Sequence, residues 1–202
     1  MSTLEVFDDI IDKSLQEKIK LTLLKSGSNF PWFFLDDITT NEASTSQLRP
    51  GFFHLFCENF IDNSEFYSMI RPIVDNVAGK LKLKLPRTIK SRTFLQVPLS
   101  LKDHTVDNAH IDMNEPHVVF LYYVIDSDGD TIIYDKKWKS GSRDMNSKQT
   151  AKLLIKKKIT PKQGRVVVFD GRYWHTAEQP KHSKRCVINN NVTYEGINSA
   201  NI

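Results

Sequence analysis

From Arg87 onward the chain is a run of short segments rich in β-branched and aromatic residues, with no helical pattern between them. RTIKSRTFLQV, HVVFLYYVID, GDTIIYD, LLIKKKIT, GRVVVFDG and RCVINNNVTYE are set apart by Gly, Pro, Asp or Asn, residues that end strands and make turns. Neighbouring parallel strands need a crossover, usually a helix, so strands that follow one another without helices argue against a doubly wound α/β sheet. They predict an antiparallel sandwich or barrel.

The region before Arg87 reads differently. Ile11, Leu15, Ile19 and Leu23 recur at steps of four, an amphipathic helix over about Asp9 to Lys25 with acidic residues at its start. Phe66, Ile70, Ile73, Val77 and Leu81 mark a second helix from Ser64, its expected N-cap, to Leu81, with Pro72 placed to kink or divide it. FPWFFLDDI and PGFFHLFCE read as strands, and the Leu-Lys alternation of KLKLKLPRTIKSR as a half-buried strand with one wet face. The expected fold class is mainly β with N-terminal helices (α+β). One domain is expected over 1–202, with a helical and strand support region at 1–86 and a β core at 87–195.

At 202 residues the chain can bury roughly 70% of its unfolded surface, so its core needs no staples. A net charge of +4 permits an acidic or nucleic-acid partner and requires neither. MSTLEVFDDIIDK lacks the basic and apolar regions of a secretion signal, and no run of eighteen apolar residues occurs. Cys57 and Cys186 form no CxxC and read as reduced thiols, so a soluble cytoplasmic protein without a membrane span is expected. DSDGDT resembles part of a calcium loop, but its Gly falls at the fourth position and its twelfth is Lys137 in place of a bidentate Glu. Asp128-Gly129 is therefore read as a tight hairpin turn, and Lys156 to Lys158 as a solvated strand edge.

Chemistry begins at DNAHIDMNEP. On an extended segment, residues i and i+2 project to the same side, so His110 and Asp112 can offer a nitrogen and an oxygen to one ion. Alone, such a pair reads as a solvated surface pair. Later, PKQGRVVVFDGRYWHTAEQPKHSKRCVINNNV carries a strand, a loop with His175, and Arg185 at the head of the next strand. A third ligand completes a 2-His-1-carboxylate face, which suits non-haem Fe(II) and leaves positions open for a bidentate 2-oxo acid and dioxygen. The far carboxylate of such a co-substrate needs a planar, permanently charged fork, and Arg185 can supply one.

His110-Ile111-Asp112, the FLYYVIDSDGDTIIYD hairpin, the PKQGRVVVFDG strand, His175 and Arg185 together resemble the Fe(II)/2-oxoglutarate-dependent oxygenases, in particular the prolyl 4-hydroxylase-like group with its small bacteriophage-encoded members. The resemblance covers about half of the chain, from about Arg87 to Tyr194. It implies a double-stranded β-helix (jelly roll, cupin-like) with N-terminal helices against one sheet. It makes His110, Asp112 and His175 the Fe(II) ligands and Arg185 the partner of the 2-oxoglutarate C5 carboxylate. Tyr123 looks like the family's hydroxyl donor to that carboxylate, with Val119 and Leu121, of the same parity, lining the pocket. The implied reaction consumes 2-oxoglutarate and dioxygen, yields succinate and CO2, and hydroxylates a peptidyl, possibly prolyl, or free amino-acid substrate. Halogenases of this superfamily lack the carboxylate ligand, so Asp112 argues for hydroxylation.

Prolyl 4-hydroxylases usually carry a Tyr three residues before the first ligand and a Trp six after the basic residue; here Asp107 and Asn191 stand there. AlkB-type nucleic-acid demethylases usually place an Arg where Asn191 is, which makes that reading the lesser alternative and a nucleic-acid substrate unexpected. The other alternative is a catalytically silent, cupin-like domain that binds a metal or partner. Trp174, Asn191, Trp138 and Arg143 are the candidates to touch substrate, the last two from a polar loop at Lys136 to Thr150 that could act as a lid. His54, His104, His117 and His182 have no partner at ligand spacing and read as hydrogen-bonded or surface residues. Oligomeric state is not legible.

Overall fold

The computed structural model describes residues 4–39, 48–100 and 106–196. In chain order the elements are β1 (Leu4–Phe7), α1 (Lys13–Leu24), β2 (Phe33–Leu35), β3 (Gly51–Glu58), β4 (Ile61–Asp62), α2 (Tyr67–Leu81) and β5 (Arg87–Gln96). There follow β6 (Val118–Tyr123), β7 (Thr131–Lys137), α3 (Ser147–Thr150), β8 (Ile155–Ile159), β9 (Val166–Asp170), β10 (Tyr173–Ala177) and β11 (Arg185–Thr193). Among the described residues eight strands form a major sheet, in the order β1-β9-β6-β11-β5-β3-β2 with β4 added beside β3. Three more, β10-β7-β8, form a minor sheet. All their pairings are antiparallel. The two sheets make the jelly roll that the sequence led us to expect.

Strand β6 shows how the layers stack. All of VVFLYY is buried, because both faces of the strand are covered. Phe120 and Tyr122 pack with Ile70, Ile73, Val74 and Val77 of α2, so the helices cover the outer face of the major sheet. Val119, Leu121 and Tyr123 point the other way and meet Ile133 of β7 and Ile159 of β8 between the sheets. The period of two along β6 thus separates a helix-side core from an inter-sheet core.

Helix α1 starts where Asp12 caps it, accepting from the Leu15 N–H at 2.8 Å, and buries Gln16, Ile19 and Leu23. Ile11 is buried but precedes the helix. Helix α2 begins at Tyr67, three residues later than Ser64 suggested; the Ser64 hydroxyl accepts from the Phe66 N–H and bonds His54 instead. Pro72 sits inside α2 without dividing it.

Three expectations need correction. The Leu-Lys alternation is not a strand: Leu81 ends α2 and Lys82 is its left-handed cap, φ 54°. FLYYVIDSDGDTIIYD is not a hairpin, because β6 belongs to the major sheet and β7 to the minor one. Its DSDG segment crosses between the sheets, and Asp128 accepts backbone N–H bonds from Lys181, His182 and Ser183. Last, His175 lies on a strand, β10, and not in a loop. The lysine run does occupy an edge strand, β8, with Lys156 paired to Asp135 and Lys158 to Glu178. Among the described residues no helix is long and apolar enough to cross a membrane.

Candidate active site

Strand β10 and the irregular segment before β6 meet at two histidines. His110 and His175 exchange backbone bonds, N–H to O, at 2.9 and 3.1 Å, which sets their rings side by side with centroids 4.6 Å apart. Asp112, two residues on, brings its carboxylate to the same place. The donor atoms of His110, Asp112 and His175 all lie within 4.8 Å of one another, and no other such metal-holding cluster occurs among the described residues.

The His175 tautomer follows from its surroundings. Its Nδ1 faces the Tyr173 carbonyl at 2.9 Å, and a carbonyl only accepts, so Nδ1 carries the proton. Nε2 is then a lone pair, and it is buried with no hydrogen-bond partner. Burial, with His110 adding to it, pushes the His175 pKa down to about 4, so the ring is neutral at pH 7. Burial disfavours the charge on Asp112, but the permanent charge of Arg92 opposes it and the carboxyl is held well below the usual carboxylate range. A buried acceptor with nothing to accept, opposite an ionised carboxylate and a second imidazole, is a donor set that fits a divalent first-row metal ion.

Asp112 is gripped from the sheet side. Arg92 donates to Oδ1 at 3.1 Å, Asn191 to Oδ2 at 2.7 Å, and Asn189 to both oxygens at 3.2 and 3.1 Å. Arg92 was not singled out in the sequence, and Asn191 was expected at substrate. Nothing in a single sequence marks either as a neighbour of Asp112, since the contacts form across strands.

A cavity of about 570 Å³ opens beside the cluster and is lined also by Arg185, Gln96, Thr131, Val119 and Leu121. Arg185 is 5% exposed and rigidly held. Its Nε donates to the Gly129 carbonyl at 3.0 Å, one terminal nitrogen to Gln96 at 2.8 Å and the other to Thr131 at 2.8 Å. A guanidinium has five N–H donors, so two remain beyond these three. No carboxylate among the described residues is hydrogen-bonded to it; nearby Asp107 is taken by Arg49 and Gln179.

Tyr123 differs from expectation. It is fully buried and donates its hydroxyl to Thr131 Oγ1 at 2.7 Å, and it is Thr131 that faces the cavity. Thr131 Oγ1 accepts from both Tyr123 and Arg185, so its own proton is left to donate elsewhere. Trp174 and Trp138 also point away: both pack in a separate core cluster with Ile132 and Tyr134. Arg143 does reach the site, donating to the Asp112 carbonyl at 3.1 Å and lining the cavity. The loop that carries it is tied down, because Ile111 N–H bonds the Arg143 carbonyl and Met145 N–H the Ala109 carbonyl. His54 and His117 bond nearby backbone oxygens at 2.9 and 2.7 Å, and His182 is exposed. His104 lies outside the described residues.

No family model matches the sequence, and no curated protein does. Solved structures do. HygX from Streptomyces hygroscopicus, bound to nickel, 2-oxoglutarate and hygromycin B, superposes with a TM-score of 0.61 at 10% identity, over 96% of this chain and 84% of its own. An oxidoreductase of the 2OG-Fe(II) oxygenase family from Burkholderia pseudomallei gives 0.61 at 9% identity, over 97% and 88%. The fold is that of the 2-oxoglutarate-Fe(II) oxygenases. A prolyl hydroxylase of the same fold from Trichoplax adhaerens, in complex with a hypoxia inducible factor peptide, gives 0.58 at 13% identity, over 95% and 84%.

Proposed function

We propose that this protein is a non-haem Fe(II)- and 2-oxoglutarate-dependent dioxygenase that hydroxylates a peptidyl or free amino-acid substrate in a reducing cytoplasm. The observation that carries this reading is Arg185, a buried cation with no carboxylate bonded to it among the described residues, in the cavity that the His110–Asp112–His175 cluster also lines. A buried guanidinium with N–H donors left over and no carboxylate hydrogen-bonded to it is unfavourable, and a ligand carboxylate completes it.

When bound, Fe(II) supplies a centre with open positions at which oxidative decarboxylation of 2-oxoglutarate is coupled to hydroxylation. The chain's own residues hold and orient. His110, Asp112 and His175 are the metal ligands; Arg185 receives the far carboxylate bidentately, with Thr131 placed to donate a further hydrogen bond. Val119, Leu121, Phe94 and Val187 give that end of the cavity apolar walls that keep water out.

Substrate enters from the other side. A second depression, of about 510 Å³, shares Glu58, Lys90, Asp112 and Arg143 with the first and adds Phe60 and Met113. Two depressions meeting at Asp112 have room for residues on both sides of a reacting one, which favours a peptidyl substrate over a free amino acid. Arg143, exposed and in both depressions, is the side chain placed to touch it.

Succinate formed from 2-oxoglutarate in the presence of Fe(II), oxygen and candidate peptides, and lost in His175→Ala, is the expected result. Iron-loaded protein that consumes no 2-oxoglutarate with any peptide or amino acid would overturn the reading in favour of a silent metal-binding scaffold.

A further inference from the structure

We propose that Asn189 and Asn191 are positioning residues for the metal ligand Asp112, and that with Arg92 they fix which of its oxygens faces the metal. The inference rests on the function proposed above and concerns side chains to which that function gives no role.

The argument starts from an oddity of sequence. Strand β11 carries Asn189, Asn190 and Asn191 in succession, all buried, although Asn is depleted in strands. Alternation sends Asn190 to one face and its two neighbours to the other. Asn190 is satisfied at both ends of its amide: it accepts from Ser91 Oγ at 2.7 Å and donates to the Phe120 carbonyl at 3.2 Å. It knits β11 to β5 and β6. Asn189 and Asn191 are satisfied at one end only. Their Nδ2 groups donate to Asp112, while both Oδ1 atoms are buried without a partner. Leaving a buried carbonyl unsatisfied destabilises a fold, so as packing these two amides are worse than a leucine of similar size. What they contribute is directed at Asp112 alone.

The direction is chemically forced. An ionised carboxylate only accepts hydrogen bonds, so each amide must turn its NH2 toward Asp112 and its oxygen away. Arg92 and Asn189 hold Oδ1, while Asn191 and Asn189 hold Oδ2, and Oδ2 is the oxygen 3.9 Å from His175 Nε2. The carboxylate cannot rotate about its bond to Cβ without breaking these contacts. Oδ2 is therefore held toward His175. Groups that orient a metal ligand in this way typically change metal affinity about 10–100-fold when removed.

The test compares wild type with Asn189→Leu, Asn191→Leu and Asn190→Leu, each titrated without metal and under argon with Fe(II) and with Co(II). Urea unfolding of the metal-free proteins is measured alongside. The two inner variants are expected to lose about 10–100-fold in affinity for either metal, whichever way their unfolding midpoints move, because a leucine relieves an orphaned amide oxygen but removes a donor to a buried carboxylate. Asn190→Leu is expected to do the reverse, losing stability and keeping affinity. If a leucine is not accommodated, Asn189→Ala and Asn191→Ala are read in the same way. Inner variants that bind metal like wild type overturn the inference and leave the proposed function standing. Wild-type protein that binds neither metal overturns both.

Discussion

Nε2 of His175 lies 3.9 Å from Oδ2 of Asp112, and neither the distance nor any third group closes a hydrogen bond on that nitrogen. In the folded chain the imidazole stays neutral, its pKa pushed down to about 4 by burial and His110, against 6.5 for the free side chain. The unfolded chain therefore takes up a proton at His175 between those values and the folded chain does not. Stability from this group is complete above pH 6.5 and is lost as pH falls toward 4, on the order of 3 kcal/mol in all. Urea unfolding of metal-free protein at pH 7 and pH 4.5 checks this: wild type is expected to lose more stability than His175→Leu. Equal losses would contradict it.

Thr131 and Tyr123 act in series at the Arg185 end of the cavity. Thr131→Val removes the hydroxyl that accepts from both Tyr123 and Arg185, and a hydrogen bond to a charged group is worth about 1.5–3 kcal/mol. We expect 2-oxoglutarate affinity to fall by about 10–100-fold, as calorimetric titration of metal-loaded protein would read. Tyr123→Phe, which keeps Thr131 in place, is expected to weaken binding less. The opposite order would restore Tyr123 as the direct donor.

Gly129 is needed for its lack of a side chain. A Cβ there would stand 2.7 Å from the Glu178 carbonyl and 3.1 Å from Arg185 Cδ, and the Gly129 carbonyl holds Arg185 Nε. Gly129→Ala must shift the crossover segment and with it the guanidinium. A loss of stability of about 1–3 kcal/mol, together with weaker 2-oxoglutarate binding, is expected; thermal unfolding and titration would measure the two.

Trp174 and Arg143, both candidates for substrate contact from the sequence, should part company on mutation. Trp174 is 5% exposed in a core cluster, so Trp174→Ala is expected to destabilise by about 3–5 kcal/mol. Arg143 is exposed, so Arg143→Ala should leave stability within about 0.5 kcal/mol and raise KM for substrate. An Arg143→Ala protein with unchanged KM would remove it from the substrate site.

What was legible in the sequence follows from how local each signal is. The antiparallel β class could be read because strand periodicity and turn residues are local and only the four-residue α3 interrupts the strands after Arg87; the jelly roll itself came from the family resemblance. His110 and Asp112 lie two apart and could be paired on paper, whereas their meeting with His175 depends on β10 lying beside that segment. Gln96, Arg92 and Asn189 could not be found, since cross-strand register between distant residues sets Gln96 beside Arg185 and Arg92 beside Asn189, and Thr131 meets Arg185 only because the two sheets face each other. Tyr123 was placed by parity on the inner face, where it does lie, but parity does not say that Thr131 stands between it and the cavity. The supposed strand at the Leu-Lys alternation failed because α2 runs to Leu81 before the chain turns.

The most direct measurement is anaerobic titration of Fe(II)-loaded protein with 2-oxoglutarate, followed by visible absorption, in wild type and in Arg185→Lys. The account predicts the weak charge-transfer band of a chelated 2-oxo acid in wild type, saturating at one equivalent. It predicts a midpoint shifted about 10–100-fold to higher 2-oxoglutarate in the lysine variant, which keeps the charge and loses the fork. Folded, iron-loaded wild-type protein that shows no band, or a band indifferent to Arg185→Lys, would contradict it.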